Sequence, residues 1–391
     1  WFGDGRAPAD ALVGGRPVTL EAALDAAAAF VAPARRPLVY LAPDLSLEAQ
    51  REAIAIADRT RGALDSVASS GALGSIIAAQ ERGRAAATLG EIRNRADVVV
   101  FWGVDPSRRY PRFATRYAPD AVGLHLPEGR RSRAVVAVDV GAWRGPEDAD
   151  VRVTVSPETE VATLTALRAL VAAPPDAPAT IDDDAARRLA SWLLRGRYVA
   201  LVADGESDGL HDPGRAGALI ALAQALNEPT RAALVVLRGG GNRSGAEAAA
   251  TWQTGYPAAV DFSRGFPRYR PYDGSAPARI AGGTVDAVLV AGAAAGLDAA
   301  LRAALARVGC VVIGPRASEQ APAGARVAID TAVAGIHEEG TAVRLDDVPV
   351  PLRRVLDGPP AAAEVIRMLG RRIDSWLRRG RITETPRTQR V

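Results

Sequence analysis

Short apolar runs punctuate the chain at intervals that leave room for a helix between them: "PLVYLAP", "ADVVVFWG", "AVVAVDVG", "DVRVTVS", "YVALVADG", "AALVVLRGG", "DAVLVAG", "CVVIGP" and "RVAIDT". Strands that are apolar throughout, rather than alternating, are buried on both faces. The pattern therefore predicts parallel sheets covered by helices on both sides. About nine such strands are more economically built as two doubly wound, Rossmann-like units than as one sheet. The expected division places residues 1–85 and 197–355 in a first, discontinuous α/β domain, residues 86–196 in a second one inserted in it, and residues 356–391 in a C-terminal helix and basic arm. The clearest helix start is "SPETEVATLTALRALVA", with Ser156 as cap, Pro157 in the first turn and acids near the positive helix end. The Pro- and Asp-rich "VAAPPDAPATIDDDAA" that follows reads as a surface connection and a domain seam, ahead of a helix containing Trp192.

Composition supports a folded protein: 391 residues, 48% of them hydrophobic, are enough for two or three domain-sized cores. All 48 basic residues are Arg, which excludes a phosphate-loop lysine and a Schiff-base lysine. The net charge of +3 is local, since Arg371 to Val391 holds seven Arg against two acids. The single cysteine, Cys310, sits in an apolar run as a small buried hydrophobe, so intrachain disulfides and all-cysteine metal sites are excluded. With no long uncharged apolar span and no basic-apolar leader, a cytoplasmic protein without membrane contact is expected.

Candidate chemistry is sparse. "LRGGGNRSGAEAAATW" follows a strand and enters a helix, as anion-binding loops do, but its spacing is neither GxGxxG nor a Walker loop. A tight turn is the favoured reading, with Asn242 and Arg243 as the polar groups if a ligand is held. "VDPSRRYPRFATRY" lies at the carboxyl end of a strand, where open α/β sheets place ligands. Its Arg108, Arg109, Arg112 and Arg116 read better as a protein interface. His125, His211 and His337 lack ligand spacing, and no GxSxG elbow or separated acid pair marks a hydrolase. The Arg-rich end is expected to be an interaction tail rather than a nucleic-acid reader. "TWQTGYPAAVDFSRGFPRYRPYDG" concentrates aromatic and Arg residues in an alanine-dominated chain.

"EIRNRADVVVFWGVDPSRRYPRFATRY", "NRSGAEAAATWQTGYPAAVDFSRGFPRY" and "EEGTAVRLDDVPVPLRR" together resemble the B subunit of formylmethanofuran dehydrogenase, a relative of molybdopterin oxidoreductases. The resemblance implies the central α/β domains of that superfamily. It also puts the family's metal-ligating Cys at Gly71 and the adjacent His at Ala72. Family histidines correspond to Arg108, Tyr110, Phe113 and Gly240, and the cysteine-rich iron–sulfur motif has no counterpart after Trp1. With those groups gone, the chain is most similar to the B subunit of the formyltransferase/hydrolase complex of methylotrophic bacteria. That complex passes a formyl group from a tetrahydromethanopterin carrier to a methanofuran-type coenzyme and hydrolyses it to formate in sister subunits. The resemblance thus implies a non-catalytic scaffold in one-carbon oxidation, with no molybdopterin and no iron–sulfur cluster of its own. Zinc and the methanofuran-type coenzyme are then expected in the partners: an amidohydrolase-like hydrolase, a formyltransferase and a further structural subunit. Gly71, Ala72, Asn242, Arg243, Arg264 and Arg268 would line a vestigial pocket. Arg108, Arg109, Arg112, Trp252, Tyr256 and Phe266 would meet partners, and Arg130, Arg131 and Arg133 would join the first three in guiding an acidic coenzyme tail. Two rival expectations stand beside this one. One is an active dehydrogenase holding tungsto- or molybdopterin through Ser69, Ser70 or Ser75, and the other is a nucleic-acid-binding protein using the C-terminal arm.

Overall fold

The computed structural model describes residues 11–174, 181–206 and 213–383. The chain forms two compact α/β units, the first from 1–70, 240–344 and 349–391, the second from 71–239 with 345–348. The first begins with β1 (Ala11–Val13), β2 (Arg16–Val18), β3 (Pro37–Leu41) and β4 (Ala63–Ser66). The second contributes β5 (Val98–Trp102), β6 (Ala134–Val140), β7 (Val151–Val155), β8 (Val199–Asp204) and β9 (Ala232–Leu237). The chain then returns to the first for β10 (Val260–Asp261), β11 (Arg268–Tyr269), β12 (Ala287–Ala291), β13 (Cys310–Gly314), β14 (Ala325–Asp330) and the hairpin strands β15 (Gly340–Val343) and β16 (Pro349–Leu352).

In the second unit the five strands run in the order β7-β6-β5-β8-β9, every pair parallel. Their alternate residues fill two cores. Val98, Val100 and Trp102 face one layer of helices, while Val99 and Phe101 face the other. The first unit has a nine-stranded sheet, β11-β10-β4-β3-β12-β13-β14-β1-β2. Only its centre, β4 to β14, is parallel, and both edges are antiparallel ribbons. The sequence predicts neither edge, because strands of two or three residues carry too short a pattern to register.

Several boundaries differ from expectation. β8 and β9 belong with β5, not with the first domain, because β8 pairs in parallel with β5 along its whole length. The seam expected near residue 175 therefore lies within the second unit, and 175–180 fall outside the described residues. The helix expected from Pro157 starts at Glu160. Ser156 Oγ accepts from Thr159 N at 3.3 Å, closing a turn one step earlier than a cap would. The Trp192 helix does form, over Asp184–Leu193. The C-terminal helix, Ala362–Thr383, is not a separate element. Val365, Ile366, Leu369 and Ile373 enter the core of the first unit, while Arg367 pairs with Glu52 and Arg372 with Asp25 and Glu21. Residues 384–391 of the expected basic arm lie outside the described residues. Among the described residues no helix is long and apolar enough to cross a membrane.

Candidate functional site: a charged crevice at a sheet switch point

In the second unit, β6 and β7 lie on one side of β5, and β8 and β9 on the other. A crevice opens where the winding reverses, beyond the carboxyl ends of the strands. It has a volume of about 320 Å³ and is lined by the segment after β5, by Trp143 and Arg144, by Asp204 and Glu206 at the end of β8, and by Leu237 at the end of β9. Charged residues at or just past the ends of β5, β6 and β8 reach the crevice, which is how the fold gathers charge at one end of a buried sheet.

The charges in the crevice hold one another. Arg109 grips Asp204 with both terminal nitrogens, at 2.9 and 3.4 Å. Glu206 accepts from Arg238 Nε at 2.9 Å and from Gly239 N at 2.8 Å. Asp105 caps Ser107 N at 2.9 Å, and Arg144 reaches the buried Asp139 at 2.8 Å. Asp139 also holds Arg152 and Gly145 N. Burial would raise its pKa, but these partners outweigh burial and keep the carboxyl below its ordinary value. Tyr110 donates its hydroxyl hydrogen to the carbonyl of Arg238. Burial pushes its phenol upward although the Arg109 charge opposes it. Behind the crevice, the carboxylate of Glu160 accepts from Trp102 Nε1 at 2.6 Å and from Arg215 Nε at 2.8 Å, all three side chains being buried. Among the described residues no imidazole, thiol or amine lines the crevice, and Asp105, Asp204 and Glu206 each accept a hydrogen bond.

Gly71, expected at the family's cysteine position, ends the short helix Ala68–Gly71 at the edge of this region. A Cβ there would meet Glu206 Cγ at 3.7 Å, an ordinary contact, and the backbone is not left-handed. Nothing local requires glycine. Ala72 is buried and brings no donor of its own. Ser69 donates its hydroxyl hydrogen to the carbonyl of Ser66, and the Ser70 side chain lies outside the described residues. Among the described residues no group of three His, Cys, Asp or Glu side chains is placed to hold a metal. The donor set at this position does not fit a thiolate-ligated tungsten or molybdenum pterin.

The remaining expected site residues separate. In the first unit Asn242 is buried as a clamp, donating to the carbonyl of Leu45 at 3.0 Å and accepting from Val343 N at 2.7 Å. Its loop turns tightly because a Cβ at Gly241 would lie 2.1 Å from the carbonyl oxygen of Pro43. The glycine-rich segment packs as a turn against Pro43 and Leu45. Arg243 is half-buried in the same unit. Arg268 pairs with Asp261 at 3.2 Å, and Arg264 is exposed. Tyr256 stacks on Tyr269 with ring centroids 5.0 Å apart and packs on the core, while Trp252 and Phe266 are 66% and 55% exposed. The aromatic stretch thus closes the sheet edge with one half of its rings and presents the other half to solvent.

Three arginines expected at the surface are committed elsewhere. Arg133 is buried, donating to the carbonyls of Pro119, Ala121 and Arg93, and its burial lowers its pKa. Arg130 is held by Asp150 at 2.8 Å, and Arg109 by Asp204. Arg108, Arg112 and Arg131 remain exposed. His125 is exposed, His337 Nδ1 accepts from Val333 N at 3.4 Å, and His211 lies outside the described residues. Cys310 is buried in β13, which pushes its thiol up to about 11. Sequence reasoning missed Asp65, at the end of β4 in the first unit. Burial pushes its carboxyl up to about 6, against the hydrogen bond from Ala276 N. One of its oxygens has no partner among the described residues. An acid ending an apolar strand was the available signal.

These features define a chain of two doubly wound α/β units with a charged crevice at the switch point of one of them. The chain belongs to the family of formylmethanofuran dehydrogenase B subunits. It is 30% identical over 369 residues to the B subunit of a tungsten-containing formylmethanofuran dehydrogenase 2 of Methanocaldococcus jannaschii, covering 92% of this chain and 85% of the relative. The same protein of Methanococcus maripaludis is 29% identical over 366 residues, covering 91% and 84%. No protein-family model matches the chain. The fold matches a chain in the crystal structure of the formyltransferase/hydrolase complex (FhcABCD) from Methylorubrum extorquens in complex with methylofuran. That match has a TM-score of 0.77 and 23% identity, and covers 94% of this chain and 99% of the other.

Proposed function

We propose that this chain is a non-catalytic, architectural component of a formyltransferase/hydrolase complex in tetrahydromethanopterin-dependent oxidation of formaldehyde to formate. The carrying observation is the pair Gly71 and Ala72 beside a crevice whose acids are already occupied by Arg109, Arg238 and a backbone cap. A family position that needs no glycine for its backbone, yet has no donor, is what a site released from metal binding leaves behind. The tungsten named for the archaeal relatives has no thiolate at Gly71 to hold it. What persists is the frame, and its use is to hold partner active sites at a fixed distance. An intermediate tethered to a carrier then meets the second site at high effective concentration. Zinc and the methanofuran-type coenzyme belong to the hydrolase and formyltransferase partners in this reading.

Exposed apolar side chains supply the contacts. Trp252, Phe266 and Tyr272 in the first unit, with Tyr272 76% exposed, and Val122 and Leu124 in the second, are large side chains that a solitary protein gains nothing by presenting to water. Arg108, Arg112 and Arg131 add charges for partners or for an acidic coenzyme tail, each exposed pair contributing about 0.2 to 1 kcal/mol. The nucleic-acid alternative rests on the Arg-rich end, 371–391, of which 384–391 lie outside the described residues. Native affinity purification of the tagged full chain tests the proposal. It is expected to bring down partners that transfer and hydrolyse formyl groups. Trp252→Ala with Phe266→Ala should cut their yield about tenfold or more at an unchanged melting temperature. Elution of the chain alone, or an undiminished yield with the double variant, contradicts it.

A further inference from the structure

A second cavity, of about 410 Å³, lies in the first unit at the amino ends of β3 and β4, opposite the end where parallel strands of such sheets receive their usual ligands. Its lining carries Arg35, Arg36, Arg61, Arg270 and Arg279 against Asp261 and Asp273. Both acids are spoken for. Asp261 accepts from Arg279 at 3.1 Å, from Arg268 at 3.2 Å and from Ser263 N at 2.9 Å, and Asp273 is paired with Arg270. Asp286, just outside, accepts at 2.9 Å from the backbone N–H groups of Arg35 and Arg36, so it fixes their backbone. Among the described residues the guanidiniums of Arg35, Arg36 and Arg61 make no ion pair with an acid.

The placement of Arg61 costs the fold something. The helix Leu47–Arg59 ends with Arg61 N donating to the carbonyl of Asp58 at 3.0 Å and Gly62 N to that of Ala57 at 2.9 Å, the closing turn whose first residue past the cap is usually glycine. Here that residue is Arg61, at φ +52°. An L side chain is strained in this region, and strained non-glycine residues cluster where a ligand is held. Helix-end electrostatics does not demand it, because Arg59 already sits in the last turn. Gly62 is needed beside it, since a Cβ there would lie 2.5 Å from the Pro37 carbonyl oxygen. That close approach holds Arg61 against the Arg35–Arg36 turn.

We propose that this pocket binds a multiply charged oxyanion, a phosphate or a polycarboxylate, through Arg35, Arg36 and Arg61. Planar guanidinium forks match oxyanion geometry, and a recess lined by three arginines in excess over its acids focuses the field on an entering anion. The site is independent of the scaffold role and of the crevice in the second unit.

The full chain, purified as it occurs, is titrated with inorganic pyrophosphate and with citrate, against sodium chloride at matched ionic strength, by calorimetry and thermal melting. At least one of the two anions is expected to bind and raise the melting temperature beyond the chloride control. A stronger response to pyrophosphate identifies a phosphate-bearing ligand, a stronger response to citrate a polycarboxylate. Arg61→Gly relieves the left-handed strain and is expected to melt at or above the parent chain while binding the preferred anion about tenfold or more weakly. Arg36→Ala is expected to weaken binding comparably. Responses no larger than the chloride control, or equal in the parent chain and both variants, overturn the proposal.

Discussion

Asp65 shows how strongly one position in this fold can dictate a charge state. Its carboxyl is fully buried, and burial moves it from 3.8 to about 6. A carboxyl whose folded pKa lies above its unfolded one stabilises the fold through its bound proton. That contribution is complete below pH 3.8 and is lost as pH rises through about 6. Asp65→Asn removes the titration and keeps an oxygen for Ala276 N. Its stability relative to the parent chain should therefore rise between pH 5 and pH 8, by about 1.4 kcal/mol. Denaturant melts at the two pH values check this, and an unchanged difference contradicts it. Gly71 makes the opposite case, a position that its surroundings leave open. Gly71→Cys should fold within about 1 kcal/mol of the parent chain. It should also present one thiol to a disulfide reagent, where the parent chain, with Cys310 buried, presents none. An unreactive thiol would show that Gly71 is not the open position described.

At the scale of elements, the second unit is held by a buried charge that its strands would not tolerate alone. Glu160 sits in the first turn of its helix and joins Arg215 to the indole of Trp102 at the end of β5. Glu160→Gln leaves the Arg215 charge buried without a counter-ion. Urea denaturation should register a loss of about 3 to 5 kcal/mol, and a loss under about 1 kcal/mol would refute the assignment. The apolar runs made the parallel strands legible, because β5 or β12 is buried on both faces and reads as an unbroken apolar run, Val-Val-Val-Phe-Trp in the one and Ala-Val-Leu-Val-Ala in the other. Which strands share a sheet was not legible. β8 and β12 look alike as sequences, and only the pairing of β8 with β5 assigns it to the second unit. The candidate site was legible in location, after β5 at Arg108 and Arg109, but not in state. That Arg109, Arg130 and Arg133 are each committed to Asp204, Asp150 and three carbonyls depends on partners far away in sequence. The Arg61 pocket had no motif, since its residues converge from three separate turns.

For the whole molecule, the family frame and the state of the crevice point in different directions, and the account rests on which prevails. By sequence the chain belongs with formylmethanofuran dehydrogenase B subunits, and in fold it matches a chain of a formyltransferase/hydrolase complex. Among the described residues no thiol or imidazole lines the crevice, Asp204 and Glu206 are engaged with Arg109 and Arg238, and Asp105 caps a backbone N–H. Exposed Trp252, Phe266 and Tyr272 suit a chain that works through its surface. The most direct test is tungsten and molybdenum analysis of the native complex containing the full chain, per mole of chain. Less than about a tenth of an equivalent of either metal, in a preparation that transfers and hydrolyses formyl groups, is the expected result. One equivalent of either, with dye reduction dependent on a formylated methanofuran-type coenzyme, would contradict the account.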